Sequence, residues 1–202
     1  MATIPLDLAT DTVVLPPPTL SSQVTLERSL KHRLSTRTFL PDPLPLGTLS
    51  ALLWAGFGIN RSESDGRTAP SAHNWQETDV YAVLAEGAYR YDAHEHRLLL
   101  VSAEDLRRYT GTQDFVATAP LNLIYVADFS RMPNVSEEDR AFLAGADAGC
   151  IAQNVYLCCS GMGLATVVRG LVDRRRLAQV LGLTATQRIT LAQTVGHPGR
   201  ET

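Results

Sequence analysis

One segment constrains the fold of this 202-residue chain more than any other. From about Glu137 to Gly161 a proline-free helical pattern runs on, the longest in the sequence. It carries Ala144, Gly145, Ala146, Ala148, Gly149 and Ala152. Small residues let a second helix come close, so this helix is expected to pack against another at short range.

The other elements are arranged around it. Residues 1–20 read as an extended arm, because Pro16 to Pro18 favour polyproline geometry and exclude helix. Ser21 or Ser22 caps a helix in which Leu26, Leu30 and Leu34 recur every fourth residue. FLPDPLPL breaks it, and Thr48 opens a second helix through Trp54 and Phe57, ending near Gly56–Gly58. Residues 60–76 form a polar loop too long for a plain connector. DVYAVLAE is a strand, paired as a hairpin with RLLLVS across the AHEH turn. AEDLRRYTG reads as a short helix, and LNLIYVADF as an apolar strand central in its sheet. After the long helix come a short strand (LATVV), a helix over Asp173–Leu181 and a last strand (QRITLAQTVG). Helices mixed with a hairpin predict α+β rather than a doubly wound sheet. With no repeat and no linker, residues 21–202 read as one domain.

Composition narrows the function classes. With 45% hydrophobic and 19% charged residues and a net charge of −3, the chain can bury a core and is not disordered. That balance exerts no general pull on nucleic acid or anionic membrane. The start lacks a signal-peptide pattern, and the longest mainly apolar run, Leu49 to Ile59, is too short to cross a bilayer. A cytoplasmic protein is the expectation. Cys150, Cys158 and Cys159 make an odd set with no CxxC or zinc spacing, so they read as packed, reduced thiols. Lys31 is the only lysine among 18 basic residues, and arginine suits two-pronged phosphate recognition.

Three segments carry candidate chemistry. In RLSTR, Arg33, Ser35 and Arg37 alternate, and in extended backbone they would share one side as a phosphate grip. In PSAHNWQ, Ser71, Asn74 and Gln76 offer hydroxyl and amide groups able to read a pyrimidine-like edge, while His73 has no visible partner. In GMGLATVVRG, the glycines allow backbone to approach a flat ligand, or serve as an ordinary helix stop and turn.

Taken in order, these segments resemble the nitroreductase family, from about Leu26 to Pro198. That family has an Arg-x-Ser-x-Arg/Lys element after its first helix, a Pro-Ser-x-x-Asn-x-Gln loop, and a Gly-Leu-rich turn ending in a residue–Gly pair. Here they are Arg33 to Arg37, Pro70 to Gln76 and Gly163 to Gly170. RTAPS, YRYD and the Gln113 to Phe115 element look like the branch near thiazole-forming oxidases. The resemblance implies a nitroreductase-like fold, with a mostly antiparallel sheet flanked by helices and one long central helix.

It also implies an FMN-dependent oxidoreductase, a homodimer with FMN at its interface. NAD(P)H would be the hydride donor, and nitroaromatics or quinones the acceptors. A specific-metabolite oxidase, a deiodinase-like enzyme and a flavin-binding protein without turnover are the alternatives. By the resemblance, Arg33, Leu34 and Ser35 hold the phosphate and ribityl end, and Arg37 meets the ring near N1 and O2. Asn74 reads that same edge, with Pro70, Ser71 and Gln76 in its loop. Backbone at Val168, Arg169 and Gly170 faces N5 and O4, and Arg200 reaches the phosphate. Arg169 departs from the acidic residue many members carry there. No catalytic protein nucleophile and no metal are expected.

Overall fold

The computed structural model describes residues 11–199. The first ten residues of the arm, and Arg200, lie outside them. The strands are β1 (Thr12–Val14), β2 (Ile59–Arg61), β3 (Gly66–Arg67), β4 (Thr78–Leu84), β5 (Gly87–Asp92), β6 (Arg97–Ser102), β7 (Leu121–Asp128), β8 (Ala165–Arg169) and β9 (Gln187–Gly196). The helices are α1 (Leu26–His32), α2 (Leu46–Phe57), α3 (Glu137–Met162) and α4 (Arg174–Val180). Seven strands form one antiparallel sheet in the order β1-β6-β5-β4-β7-β9-β8, and β2 and β3 form a separate hairpin.

β7 sits inside the sheet with both faces covered, which is why 123–127 is an apolar run rather than an alternating one. Leu121, Leu123 and Tyr125 face the α2–α3 side, in one core with Leu52, Leu53, Ile151 and Val155. Ile124 and Val126 face the other side, with Leu177 and Leu181 around α4. Successive side chains on a strand point to opposite faces, so one strand feeds two cores.

Several details differ from the sequence expectations. Thr25, not Ser21 or Ser22, caps α1, its hydroxyl accepting from the Arg28 amide at 3.2 Å. α1 ends at His32, before Leu34, and the leucines face outward: Leu26, Leu30 and Leu34 are 65%, 53% and 58% exposed. α1 instead meets α3 through Ser29, whose carbonyl accepts from Ser160 Oγ at 2.9 Å. α2 starts at Leu46, two residues before Thr48. The AHEH turn joins β5 to β6, so β5 lies between the two strands expected to pair directly. AEDLRRYTG holds only a single 3-10 turn, Arg107–Tyr109, because the Asp105 carboxylate takes the Arg107 amide and guanidinium.

The close helix approach exists, but on a different glycine. A Cβ at Gly56 of α2 would stand 3.1 Å from Val155 and 3.6 Å from Ile151, whereas one at Gly145 or Gly149 would meet nothing within 4 Å. Ala144, Ala148 and Ala152 are simply buried. Cys158 and Cys159 are buried and Cys150 is exposed. The described part of the arm packs on its own sheet: β1 pairs with β6, Leu15 is buried, and Ser50 and His96 both bind the Pro16 carbonyl.

Candidate functional site

α3 organises the motif segments from its two flanks. On one flank stands the buried Tyr156. That hydroxyl is 2.7 Å from Ser35 Oγ and accepts from the Val168 amide at 2.9 Å. The Arg33 guanidinium lies 5.3 Å from the centre of the same ring, a cation–π contact. One tyrosine therefore joins the RLSTR segment to β8. The segment is fixed further along its length. The Thr36 amide donates to the Thr166 carbonyl at 3.0 Å, and Phe39 bridges to Pro198.

The two arginines are left uncommitted. Arg33 has only the Tyr156 ring, and exposed Arg37 has no hydrogen bond or ion pair among the described residues. A cavity of about 340 Å³ lies against the alternate residues of the segment, lined by His32, Leu34, Thr36, Tyr156, Thr166 and Gly199 but by neither arginine.

The PSAHNWQ loop hangs on the other flank. The Ala72 amide donates to Asp147 Oδ2 at 2.8 Å, and Asn154 donates to the Thr68 carbonyl at 3.2 Å. Asp147 and Tyr156 are nine residues apart, which on a helix is about 13 Å and half a turn. The structure thus brings Arg33, Ser35 and Val168 together within one chain, but not Ser71, Asn74 and Gln76 with them.

Inside the loop the polar side chains hold its shape. Ser71 Oγ accepts from the Gln76 amide at 3.0 Å. Gln76 Oε1 takes the Arg67 guanidinium at 2.8 Å, and its amide reaches the Asp65 carbonyl and Asn74 Oδ1. His73, Asn74 and Gln76 all have φ near +50°, a region that side chains occupy at some conformational cost. Such strain persists only where surroundings enforce it, and here Asp147, Ser71 and Arg67 do so. Pro70 is exposed at the loop's start, and His73 is exposed against Trp75.

Arg169 points away from this whole arrangement. Alternation along β8 sends Val168 toward Tyr156 and Arg169 to the opposite face. Arg169 is 4% exposed and donates to Thr194 Oγ1, the Thr110 carbonyl and Asn122 Oδ1 at 2.8–3.0 Å. All three acceptors are neutral, and burial lowers its guanidinium to about 10. Its charge is therefore held behind β8, while Gly170 ends the strand at the surface.

Sequence reasoning missed Tyr156 and Asp147. Neither belongs to a motif, and each sits in a helix where its neighbours are core residues. The one signal for Asp147 was a carboxylate among small apolar residues. The two buried thiols are held protonated: burial pushes Cys158 up to about 12 and Cys159 well above its usual value. Among the described residues there is no group of three or more His, Cys, Asp or Glu that could hold a metal, and no helix long and apolar enough to cross a membrane.

A seven-stranded antiparallel sheet with a 26-residue helix across it defines an α+β fold of the nitroreductase type. The family profile described as "Nitroreductase family" matches residues 30–197, and the chain belongs to that family of oxidoreductases. A crystal structure of a nitroreductase-family protein from Ralstonia eutropha superposes with a TM-score of 0.90 at 44% identity, covering 95% of this chain and 91% of that one. A protein of Methanocaldococcus jannaschii assigned by name to the nitroreductases is 31% identical over 170 residues, 79% of this chain and 85% of its own. An NADPH-flavin oxidoreductase of Vibrio harveyi is 29% identical over 103 residues, which are 46% of this chain and 42% of that protein.

Proposed function

We propose that the chain is a cytoplasmic, FMN-dependent oxidoreductase that takes hydride from NAD(P)H and reduces electron-poor acceptors such as nitroaromatics or quinones. The observation that carries this reading is the pair of uncommitted guanidinium groups on the segment that Tyr156 ties to β8. Cations carried on a fixed segment without an anion fit a dianionic phosphate on one side and an electron-rich ring edge on the other. The donor set therefore suits FMN.

Arg33 would grip the phosphate, with Ser35 beside it and Leu34 against the ribityl chain. Arg37 would offer its charge to the ring's N1 and O2 edge, where negative charge collects on reduction. Asn74 would read the pyrimidine edge, on a loop that Pro70, Ser71 and Gln76 shape. Backbone at Val168, Arg169 and Gly170 would line the N5 side, and Arg200 would add to the phosphate grip. Bound FMN supplies the hydride chemistry; the protein supplies position and field. The charge of Arg169, the residue that departs from the family pattern, is bonded on the far face of β8 and does not weigh against turnover.

The same reading includes a homodimer. The 33–37 segment, a strap across α3, and the 70–76 loop lie on opposite flanks of that helix, so a site using both is completed when a second copy brings its loop to this copy's strap. The outward Leu26, Leu30 and Leu34 support such a contact. So does a cavity of about 700 Å³ at Leu26, lined also by Leu20, Val24, Trp54, Leu157 and Met162. An obligate interface above roughly 2,000 Å² is expected.

The test is anaerobic titration of the FMN-loaded protein with NADH and with NADPH, with light scattering on the same sample. Bleaching of the bound flavin by either nucleotide in a dimer supports the reading. Recovery of FAD, failure to take up FMN, or a folded FMN-loaded monomer would count against it.

A further inference from the structure

Directly after the strained loop comes Glu77, whose side chain is 0% exposed. Its Oε1 accepts from the Thr78 hydroxyl at 3.0 Å. Its Oε2 is buried and has no hydrogen-bond partner. The charged group beside it is the carboxyl of Asp147, itself 8% exposed, whose Oδ2 receives the Ala72 amide. Asp147 acts directly on the Glu77 carboxyl, and no described group donates to Glu77 Oε2. Two buried acceptors in contact need a proton, and Thr78 leaves Glu77 Oε2 as the atom to carry it.

We propose that Glu77 and Asp147 are positioning residues that share one proton, and that this proton holds the 71–76 loop, and with it Asn74, in the shape that meets the flavin. The inference rests on the functional reading above. The loop is clamped at both ends by this pair: Ala72 hangs on Asp147, and Gln76 adjoins Glu77. Between the clamps lie the three residues at positive φ. Losing the proton sets two buried negative charges against each other, and the strained backbone is free to relax.

The surrounding charges do not offset this. Arg67 is taken by Gln76 and the Phe57 carbonyl. Arg131 is taken by Asp79, Asp128 and the Gln76 carbonyl. Arg140 is taken by the Met132 carbonyl. Burial, and then Asp147, raise Glu77 above its usual 4.5. A raised acid contributes its stability fully below the unfolded value and loses it as pH rises through the folded value. The loop is therefore expected to loosen with rising pH.

The experiment measures the FMN dissociation constant by fluorescence quenching from about pH 5 to about pH 9, for the wild type and for Glu77→Gln. The amide keeps a donor toward Asp147 and cannot ionise. Wild-type affinity should fall about tenfold or more across the range, while Glu77→Gln should change by less than about threefold, one decade corresponding to one unit of pKa difference. FMN's own titration is common to both proteins and cancels in the comparison.

Parallel profiles would overturn the proposal, as would a folded Glu77→Gln that binds FMN weakly at every pH. If Glu77→Gln does not fold, Asp147→Asn takes its place. Its amide can accept from Ala72 and donate to an ionised Glu77, so it too should flatten the profile, and a wild-type slope would refute the shared proton. A readout free of flavin separates this inference from the function. In a Trp54→Phe background Trp75, in the loop itself, is the only tryptophan. Its emission in the FMN-free protein should shift with pH in the otherwise native chain and stay constant when Glu77→Gln is added. If FMN does not bind but that contrast appears, the functional reading fails and the proton clamp stands. If FMN binds and Trp75 gives no contrast, the clamp fails alone.

Discussion

The strap at 33–37 and the loop at 70–76 look alike as sequence: each is a short polar motif with alternating side chains. The structure uses them in opposite ways. In the strap the backbone and Ser35 are held by Tyr156 and Thr166, and the two arginines are left free. In the loop Ser71 and Gln76 are consumed by internal bonds, and the product is a backbone shape with Asn74 at its turn. A motif's polar residues can thus be ligands or scaffold, and the difference lies in whether the protein has already satisfied them.

Variants on the two sides should behave accordingly. The largest effect is expected from Arg33→Ala. Losing charge-assisted hydrogen bonds worth roughly 1.5–3 kcal/mol should weaken oxidised and reduced FMN alike, on the order of 10- to 100-fold, by titration calorimetry. Turnover should then recover in excess FMN. If it does not, Arg33 acts on the reacting ring and the strap is not a phosphate grip.

Tyr156→Phe comes next. It strips one hydroxyl from both Ser35 and the Val168 amide, and an unpaired buried group costs about 1–3 kcal/mol in urea unfolding. A variant as stable as the wild type would mean that the strap is not held by this bridge. Arg37→Ala should leave the fold unchanged but lower the flavin midpoint potential. A tenfold selective weakening of reduced FMN is about 30 mV for a two-electron couple. Equal potentials in Arg33→Ala and Arg37→Ala would erase the division of labour between the two arginines.

On the loop side, Gln76→Ala removes bonds to Arg67, Asp65 and Asn74 from a partly exposed site. A net loss of about 1 kcal/mol, or roughly fivefold in FMN affinity, is expected, with no change in potential. A shifted potential would make Gln76 a ligand rather than scaffold. The smallest effect lies outside both regions and sets their baseline. Burial pushes the His96 imidazole below its usual 6.5. The fold favours the neutral ring, so its contribution is complete above pH 6.5 and fades as pH falls through the lower, folded value. Melting temperatures of the FMN-free protein should show this acid limb, and His96→Asn should lack it.

The elements legible in sequence were those where one period dominates. β7 is apolar from 123 to 127 because both faces are covered, and α3 runs unbroken from a serine cap to Gly163 at φ 69°. What could not be read was pairing and direction. β5 begins at Gly87, with φ 152° and a register shift after Ala88, so its alternation is interrupted where it would be recognised. The leucines of α1 have the right spacing, but spacing does not say whether a stripe faces the chain's own core or the outside. The strap and loop were visible as motifs because their residue types are unusual together. Tyr156 and Asp147, which hold them, were invisible because a tyrosine or an aspartate within a long helix carries no local signature.

The burial of Arg169 reaches further than its own three hydrogen bonds. A methyl group at position 111 would collide with its guanidinium, so Gly111 is there to leave room for it. Size at one position is thereby traded against size at the other, across 58 residues of chain. A chain with a short residue at 169 is released from glycine at 111, and one that keeps arginine is not. Gly111→Ala alone should destabilise the fold, and the same alanine beside Arg169→Ala should cost less than the two changes taken separately. Such non-additivity is the mark of two sites filling one space. Among relatives the two positions are expected to drift together, as a lock and its matching key are recut in pairs.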